Sequence, residues 1–302
     1  MLTTEQTAAA NGKTVSKAPS FFRVMRREIW HDKLAFVSLC LLAFIVLYVY
    51  IGALGLSSDQ VVHVTLGDRY LAPGAEHILG TDEGGRDIYN YLIVGARNSI
   101  TIAVGITALC IVFGTFIGLM AGYYGGAFDS VVMRVIDFFS MLPTLMLIIT
   151  VVSIIPRYNV WTFILVMSVL GWMFDARLTR AKTLQQSSLD YVSAAKTLGT
   201  PNLKIMFGQV LPNIASIIIV NFTLTLASMM GVEVGLTFLG FGLPANVPSL
   251  GTLLAYARVP ENLRLRWWLW LPAALFILVM MLCINFVGQA IKRAADAKQR
   301  KI

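Results

Sequence analysis

The stretch that decides the fold is a short polar corner in the apolar second half of the chain. Residues 191–199 read Tyr-Val-Ser-Ala-Ala-Lys-Thr-Leu-Gly, and residues 209–212 read Gln-Val-Leu-Pro. We expect a first short helix from about Ser188, whose hydroxyl suits an N-cap, to Leu198. Gly199 comes next, and glycine takes the left-handed conformation that ends a helix at little cost.

A second helix is expected to start directly after this turn. Thr200 can cap it, and Pro201 suits its first position, where the missing N–H costs nothing. At helical spacing, its apolar face is predicted to consist of Leu203, Met206, Phe207, Val210 and Leu211. The two helices should meet at a sharp corner, where the small side chains of Ala194 and Ala195 let a partner's surface approach the backbone.

This pattern resembles the cytoplasmic coupling loop of permease subunits in ABC importers. It has two adjacent alanines, then Gly199 four residues after the second alanine and Pro212 thirteen residues after the glycine. A glutamate normally precedes the alanines in that family, and this chain has Ser193 there. The resemblance implies that contact with an ATP-binding subunit falls on Tyr191, Ser193, Ala194, Ala195, Lys196, Gly199 and Pro212. The alternative is an ordinary helix-turn-helix between two membrane spans.

The composition indicates a protein that crosses a membrane several times. Of 302 residues, 57% are hydrophobic and 13% are charged, and the mean hydropathy is +0.73. So few charges would hardly cover the surface of a soluble domain. The formal net charge of +8 comes from basic residues clustered between apolar spans, as the positive-inside rule describes, so we expect no nucleic-acid partner. The cysteines lie inside apolar segments, which argues against a disulfide framework or a metal site.

Apolar segments divide the chain into six predicted transmembrane helices, with both termini on the cytoplasmic side. An amphipathic helix from Phe21 to Lys33 is expected on the anionic cytoplasmic leaflet. The predicted parts are an N-terminal tail with this helix (1–33), a first span (34–56), an extracytoplasmic loop (57–98), a core of five spans (99–288) and a cytoplasmic tail (289–302). The core includes the coupling loop (177–213) and a segment rich in glycine and proline (233–266), which predicts a re-entrant backbone on the extracytoplasmic side.

Two motifs in the extracytoplasmic loop extend the resemblance. Residues 80–87 read Gly-Thr-Asp-Glu-Gly-Gly-Arg-Asp and residues 95–100 read Gly-Ala-Arg-Asn-Ser-Ile, as before the second span of C-type permeases of oligopeptide and dipeptide importers. Asp87 can cap a helix that lies on the outer membrane surface. We place a candidate surface for an external binding protein at Asp82, Arg86, Asp87 and Pro248. The alternative is that Arg86 and Asp87 only order the loop.

Glycine and proline predict how the middle spans pack. Three glycines recur every four residues in the second span, at Gly114, Gly118 and Gly122. This spacing lets a neighbouring backbone approach closely, and it predicts a helix-packing face. Pro143 should kink the third span. Arg134 and Asp137 lie one turn apart near its inner end, and we expect them to pair.

A polar stripe on the fifth span is a candidate for the translocation pathway. Its members, together with a neighbouring methionine, are Asn221, Thr225, Ser228 and Met229. Such a stripe either hydrogen-bonds a neighbouring helix or lines a wet path. Glu233 lies next to an apolar run, where a carboxylate is costly unless it faces water or a partner, so we expect a functional position in the pathway.

No catalytic site is expected in this chain. The sequence has no G-x-x-x-x-G-K-[ST] phosphate loop, no H-E-x-x-H and no nucleophile elbow. The resemblance, which covers about residues 21–289, implies an all-α integral membrane protein of the type I ABC-importer permease fold in a bacterial inner membrane. It also implies a paralogous B-type permease, two ABC ATPase subunits that hold ATP and magnesium, an extracytoplasmic substrate-binding protein, and an oligopeptide or dipeptide as substrate.

Alternative functions stay open at this point. Nickel and metal-chelate importers have closely similar permeases. A secondary transporter driven by an ion gradient would have paired half-repeats and ionisable groups at the midplane. The sequence has no evident internal repeat, and Glu233 stands nearly alone. A membrane enzyme or anchoring protein is disfavoured because catalytic motifs are missing.

Overall fold

The computed structural model describes residues 21–155, 159–244 and 246–299, and these residues are mostly helical. The α-helices are α1 (Phe21–His31), α2 (Lys33–Gly52), α3 (Ser58–Val62), α4 (Ile88–Tyr124), α5 (Gly126–Ser140), α6 (Thr144–Ile154), α7 (Val160–Gly171), α8 (Met173–Ser187), α9 (Asp190–Thr197), α10 (Asn202–Ile205), α11 (Leu211–Leu239), α12 (Leu250–Ala255), α13 (Pro260–Leu265) and α14 (Leu271–Gln299). Within these ranges, extended pairing is limited to one isolated bridge between Thr81 and Asp87. The predicted tail before Phe21 lies outside the described residues.

Several helices are long and apolar enough to cross a membrane. Those that qualify alone are Lys33–Gly55, Ile88–Tyr124, Asn202–Leu239 and Leu271–Asp296. The pairs α5 with α6 and α7 with α8 are bent by 86° and 42°, and each pair qualifies if it is counted as one span. The described part of the chain therefore has four to six candidate spans.

α4 is the helix around which the others are arranged, and it packs against α8, α11, α7 and α2. Asp87 caps it as predicted, because its side chain accepts a hydrogen bond from the Asn90 N–H at 2.9 Å. The prediction of a separate helix on the membrane surface is wrong. The helix is not interrupted near Asn98, and Ile88–Tyr124 is one helix of 37 residues. At 1.5 Å per residue it is about 55 Å long. The Ile88 end and the Tyr124 end of α4 thus mark opposite ends of the molecule.

The break between α5 and α6 falls where the sequence predicts a kink. Pro143 directly precedes α6 and cannot donate a backbone hydrogen bond, and the bend is far sharper than a kink within one helix. The predicted pair of Arg134 with Asp137 is wrong. Asp137 pairs instead with Arg177 of α8, at 2.8 Å, so it ties two helices together rather than two turns of one helix.

The polar corner folds as two short helices, with boundaries that differ from the prediction. Ser188 is the C-cap of α8 and not an N-cap, and Leu189 precedes α9. Gly199 has a φ of +74°, the left-handed conformation expected of it. The next helix starts one residue later than predicted, since Pro201 occupies its N-cap position.

A π-helical turn, Met206–Val210, joins α10 to α11, and the buried face here differs from the prediction. The wider turn rotates the side chains that follow it relative to a regular α-helix. Met206 and Val210 are buried as expected, together with Ile205. Leu203 and Phe207, which belong to the predicted face, are exposed.

α1 packs on the C-terminal half of α14. Its apolar side, with Met25 and Ile29, contacts a surface of small and branched residues on α14. Asp32 caps α2 by accepting from the Leu34 N–H at 3.0 Å, and it also pairs with Arg293 of α14. The apolar side of this amphipathic helix therefore faces protein, while its arginines are exposed.

Candidate coupling and translocation site

One side of α9 forms an exposed surface at the Tyr124 end of α4. The exposed residues are Ser193, Ala194, Lys196, Thr197, Leu198 and Gly199. Leu198 is 84% exposed. The opposite side of α9 is buried in an apolar cluster, whose members are Leu119, Tyr123, Val192, Ala195, Ile205, Met206, Val210 and Ile214.

This arrangement corrects the expectation for the alanine pair. Ala195 is buried in its own chain and Ala194 is exposed. Adjacent residues of an α-helix lie about 100° apart around its axis, so the two methyl groups cannot both face a partner. Ala194 is therefore the member of the pair that a partner can reach.

Three polar contacts fix the corner to the helices behind it. The Tyr191 hydroxyl donates to Gln186 Oε1 on α8 at 3.0 Å. The Lys196 ammonium lies 4.9 Å from the centre of the Tyr123 ring, and the Tyr123 hydroxyl donates to Asn202 Oδ1 at 3.0 Å. α9 and α10 are thus held by the end of α4 and by α8, so a force on the corner reaches both helices.

Pro212 lies in the first turn of α11, directly after the π-helical turn. Proline has no N–H to contribute to the helical ladder, so it fits the start of a helix better than its interior. Its side chain is exposed. Whether it contacts a partner stays a prediction.

The glycine stripe of α4 lies against the backbone of α8. A methyl group placed on Gly114 would be 2.5 Å from Asp175 Cβ, and one on Gly122 would be 2.7 Å from the Arg180 carbonyl oxygen. Gly118 meets the backbone of α8 in the same way. The predicted helix-packing face is present, and its partner is the helix that leads into the coupling loop.

The polar stripe on α11 divides between two environments. Asn221 and Thr225 are buried and both donate to Asp175 Oδ1 on α8, Thr225 at 3.4 Å. These two residues therefore hydrogen-bond a neighbouring helix, which was the first of the two possibilities. Ser228 is exposed, and Met229 is half-buried beside an apolar cluster. Ser228 stays a candidate for the pathway.

Glu233 is fully buried and is not positioned to line a path through this chain. Its Oε1 accepts from the Thr237 hydroxyl one turn further on, at 3.2 Å, and its Oε2 has no partner among the described residues. α12 covers this region: the Leu250 N–H donates to Ser99 Oγ on α4 at 3.1 Å, and Gly251 packs directly on Thr237. The carboxylate lies behind the apolar segment that the sequence predicts to be re-entrant.

Asp82 is the centre of the cap segment, which we define as residues 57–87 and which covers the Ile88 end of α4. Its carboxylate is fully buried and accepts from the Gly84 and Arg86 N–H groups at 2.7 and 2.9 Å. It also accepts from the Tyr256 hydroxyl at 2.7 Å. Burial and the Asp82 carboxylate raise the pKa of Tyr256, so the phenol stays protonated and keeps donating.

Arg86 and Asp87 order the cap segment. The Arg86 guanidinium donates to the Val62 carbonyl at 3.0 Å, and Asp87 pairs with the His77 ring at 2.8 Å in addition to capping α4. These contacts match the alternative that the two residues stabilise the loop.

Asp82 and Pro248 do not lie on an open surface, which corrects their assignment as contacts of a binding protein. Pro248 is buried, and its carbonyl accepts from Asn98 Nδ2 of α4 at 2.8 Å. Trp268 Nε1 similarly donates to the Thr81 carbonyl at 3.3 Å. Hydrogen bonds thus join the cap segment and the start of α4 to the segment that follows α11, so the Ile88 end is closed.

The sequence-based candidates do not include Asp175 or Tyr256. Asp175 does carry a readable signal, because it is a carboxylate beside the apolar run of the fourth span, as Glu233 is beside the fifth. Tyr256 carries none, since its partner Asp82 is 174 positions away.

Comparison with known proteins shows which family the chain belongs to. The family described as "Binding-protein-dependent transport system inner membrane component" matches residues 114–301. The oligopeptide transport system permease protein OppC of Lactococcus lactis subsp. cremoris is 44% identical over 281 residues, which cover 93% of this chain and 96% of that protein.

Two proteins of Bacillus subtilis are similar over nearly the whole chain. Its OppC is 33% identical over 299 residues (97% of this chain, 96% of that protein), and its dipeptide transport system permease protein DppC is 35% identical over 275 residues (91% and 85%). The family match covers more than half of the chain, and these relatives cover most of it. The chain is therefore a multi-pass membrane protein that belongs to the inner membrane components of binding-protein-dependent transport systems.

Proposed function

We propose that this chain is one of two permease subunits in an ATP-driven importer of oligopeptides or dipeptides. It would form half of the translocation pathway in a bacterial cytoplasmic membrane. The relatives named above are permeases of oligopeptide and dipeptide transport systems. Their names favour a peptide over the nickel or metal-chelate substrates that the sequence left open.

One observation carries the proposal: the exposed side of α9 at the Tyr124 end. It presents Ala194 and Leu198 to the outside of the chain, whereas the other side of the same helix is fully packed. Exposed apolar side chains on an otherwise well-packed helix are a feature of protein interaction surfaces. We propose that this surface docks one of two ABC ATPase subunits, on which ATP and magnesium are bound.

The proposed topology has six spans and places both termini in the cytoplasm. It counts each bent pair, α5–α6 and α7–α8, as one span. The coupling loop then lies on the cytoplasmic side, together with α1 and the end of α14. The cap segment lies outside, toward an extracytoplasmic substrate-binding protein, and membrane lipid surrounds the spans.

In this proposal the chain itself catalyses nothing and binds no cofactor. ATP-driven closure of the two ATPase subunits moves the α9 surface, and α8 and α4 transmit that movement to the spans. The two permeases, this chain and a paralogous B-type subunit, then rock from an inward-facing to an outward-facing state, and hydrolysis reverses the change. The carboxylates on this chain are not needed for hydrolysis.

The test is purification of the tagged chain in mild detergent, identification of the co-purifying proteins by mass spectrometry, and reconstitution into liposomes. We expect a second permease and P-loop ATPases, and uptake of a labelled peptide that requires ATP and a binding protein. A chain that purifies alone and moves a solute down an ion gradient without ATP would contradict the proposal in favour of a secondary transporter.

A further inference from the structure

The carboxylate of Asp175 is enclosed between three helices and has no role in the proposed function so far. Asp175 lies in the first turn of α8 and is 2% exposed. A carboxylate at such a position is costly unless other groups compensate it. Its Oδ1 accepts from Asn221 Nδ2 and Thr225 Oγ1, which lie one turn apart on α11. Its Oδ2 has no partner within the described residues.

The glycine stripe places this carboxylate where it is. Gly114 has no side chain, so Asp175 Cβ approaches the α4 backbone to a distance that any larger residue would prevent. From there the carboxylate reaches α11 on the other side. The Asp175 cluster, which we define as Asp175, Asn221 and Thr225, is therefore a junction of α4, α8 and α11.

α8 is also the helix that the coupling loop pulls on. At its other end it leads into α9 through Ser188 and Leu189, and Gln186 holds the Tyr191 hydroxyl. Near its middle, Arg180 makes a bidentate ion pair with Asp129 of α5. α8 is thus attached to α9 at one end and to α11, through Asp175, at the other.

We propose that Asp175 is a positioning residue that transmits movement of the coupling loop to α11. This inference rests on the proposed function. Helices in a membrane associate through van der Waals packing and through interhelical hydrogen bonds, and such bonds between neutral groups are individually weak. Hydrogen bonds to a buried carboxylate lose much more if they are broken, so they keep two helices in register. When α8 moves, α11 moves with it.

The test measures how many peptides the complete, reconstituted importer moves per ATP hydrolysed. Asp175→Leu keeps the approximate size of the side chain and removes the acceptor, whereas Asp175→Asn keeps an acceptor oxygen for Asn221. We expect Asp175→Leu to lower the ratio at least about fivefold, within the usual range of coupling between sites. We expect Asp175→Asn to stay within about twofold of the wild type, because its amide oxygen can still accept from Asn221 and keep α8 and α11 in register.

A second variant covers the case in which the Asp175→Leu complex does not assemble. Asn221→Leu removes the donor on α11 and should lower the ratio as well, and Asp175→Leu with Asn221→Leu should be no worse than either alone, since the two act as one unit. A wild-type ratio in Asp175→Leu or Asn221→Leu, or an Asp175→Asn complex as impaired as Asp175→Leu, would overturn the inference. A wild-type complex without ATP-driven uptake would contradict the proposed function and this inference together.

Discussion

The two ends of α4 differ in how their side chains are satisfied. At the Ile88 end, the cap segment, α12 and Trp268 bind one another through buried hydrogen bonds centred on Asp82. At the Tyr124 end, α9 is packed on one side and leaves Ala194 and Leu198 uncovered on the other. The Ile88 end also exposes apolar side chains such as Leu66 and Ile78, but its segments are joined to one another by buried hydrogen bonds, whereas α9 presents its exposed side chains on a short helix whose outer side no described segment covers. The difference assigns stability to one end and docking to the other.

The largest effect is expected from a charge placed on the α9 surface. Leu198→Glu or Ala194→Glu would bury an unpaired carboxylate against the ATPase, at a cost of about 3 kcal/mol. We expect the ATPase to be lost from the purified complex and ATP-driven uptake to fall by roughly a hundredfold.

The matched control lies at the other end of the molecule. Leu66 in the cap segment is 69% exposed, against 84% for Leu198. Leu66→Glu should leave ATPase recovery within about twofold of the wild type, as for most surface substitutions. Loss of the ATPase in Leu66→Glu but not in Leu198→Glu would reverse the assignment of the two ends.

A smaller effect is expected at the contact between α4 and α8, the helix that leads into the coupling loop. Gly118→Ala would force a methyl group into the backbone of α8, and such overpacking costs roughly 1–3 kcal/mol. Gly235→Ala on α11 has open space around its added methyl group, so it should be neutral or stabilising by up to about 1 kcal/mol. Thermal unfolding of the purified complex in detergent measures both variants. Equal melting temperatures would contradict the packing of α4 on α8.

At the Ile88 end, a substitution can remove the buried carboxylate of Asp82. Asp82→Ala leaves the Gly84 and Arg86 N–H groups and the Tyr256 hydroxyl without their acceptor, at roughly 2 kcal/mol. We expect faster proteolysis within the cap segment and unchanged recovery of the ATPase. Tyr256→Phe removes one donor and should cost about 1 kcal/mol. Loss of the ATPase from Asp82→Ala, with a protease-resistant cap segment, would show that the ends are not independent.

The smallest effect is expected for an exposed ion pair near the Tyr124 end. Arg177 and Asp137 lie 2.8 Å apart, but their side chains are 49% and 52% exposed. A single ion pair whose side chains are half exposed is usually worth little, so Arg177→Gln should change the free energy of unfolding by less than about 0.5 kcal/mol. Arg180→Gln, whose bidentate partner Asp129 is largely buried, should destabilise more. The reverse order in chemical or thermal unfolding would contradict this reading of the two pairs.

Features that depend on neighbours in the sequence could be predicted. Asp87 as a cap, Gly199 as a left-handed residue, the break at Pro143 and the packing of Gly114, Gly118 and Gly122 all follow from local backbone chemistry. The boundaries of α9 and α10 were less accessible, because Ser188 and Pro201 each suit more than one position at a helix end, and the structure uses Ser188 as the C-cap of α8 and Pro201 as the N-cap of α10.

Features that depend on tertiary packing could not be predicted. Periodicity shows that Asn221, Thr225 and Glu233 lie on α11, but it does not show which helix covers them. The structure sets two of them against Asp175 and covers the third with α12. Likewise, nothing local in the sequence relates Asp82 to Tyr256. The sequence also does not show that Ala195 faces the protein interior while Ala194 is exposed.

Cross-linking from Ala194 shows directly whether the exposed side of α9 lies against an ATPase subunit. Cys40 is exposed, whereas Cys110 and Cys283 are buried, so Cys40→Ser provides a background for single cysteines at Ala194 or, as control, at Leu66. A short thiol-to-amine reagent is applied to the assembled complex in its membrane. We expect a product of this chain with an ATPase subunit from Ala194→Cys and none from Leu66→Cys. An ATPase that co-purifies but cross-links only to Leu66→Cys would contradict this expectation.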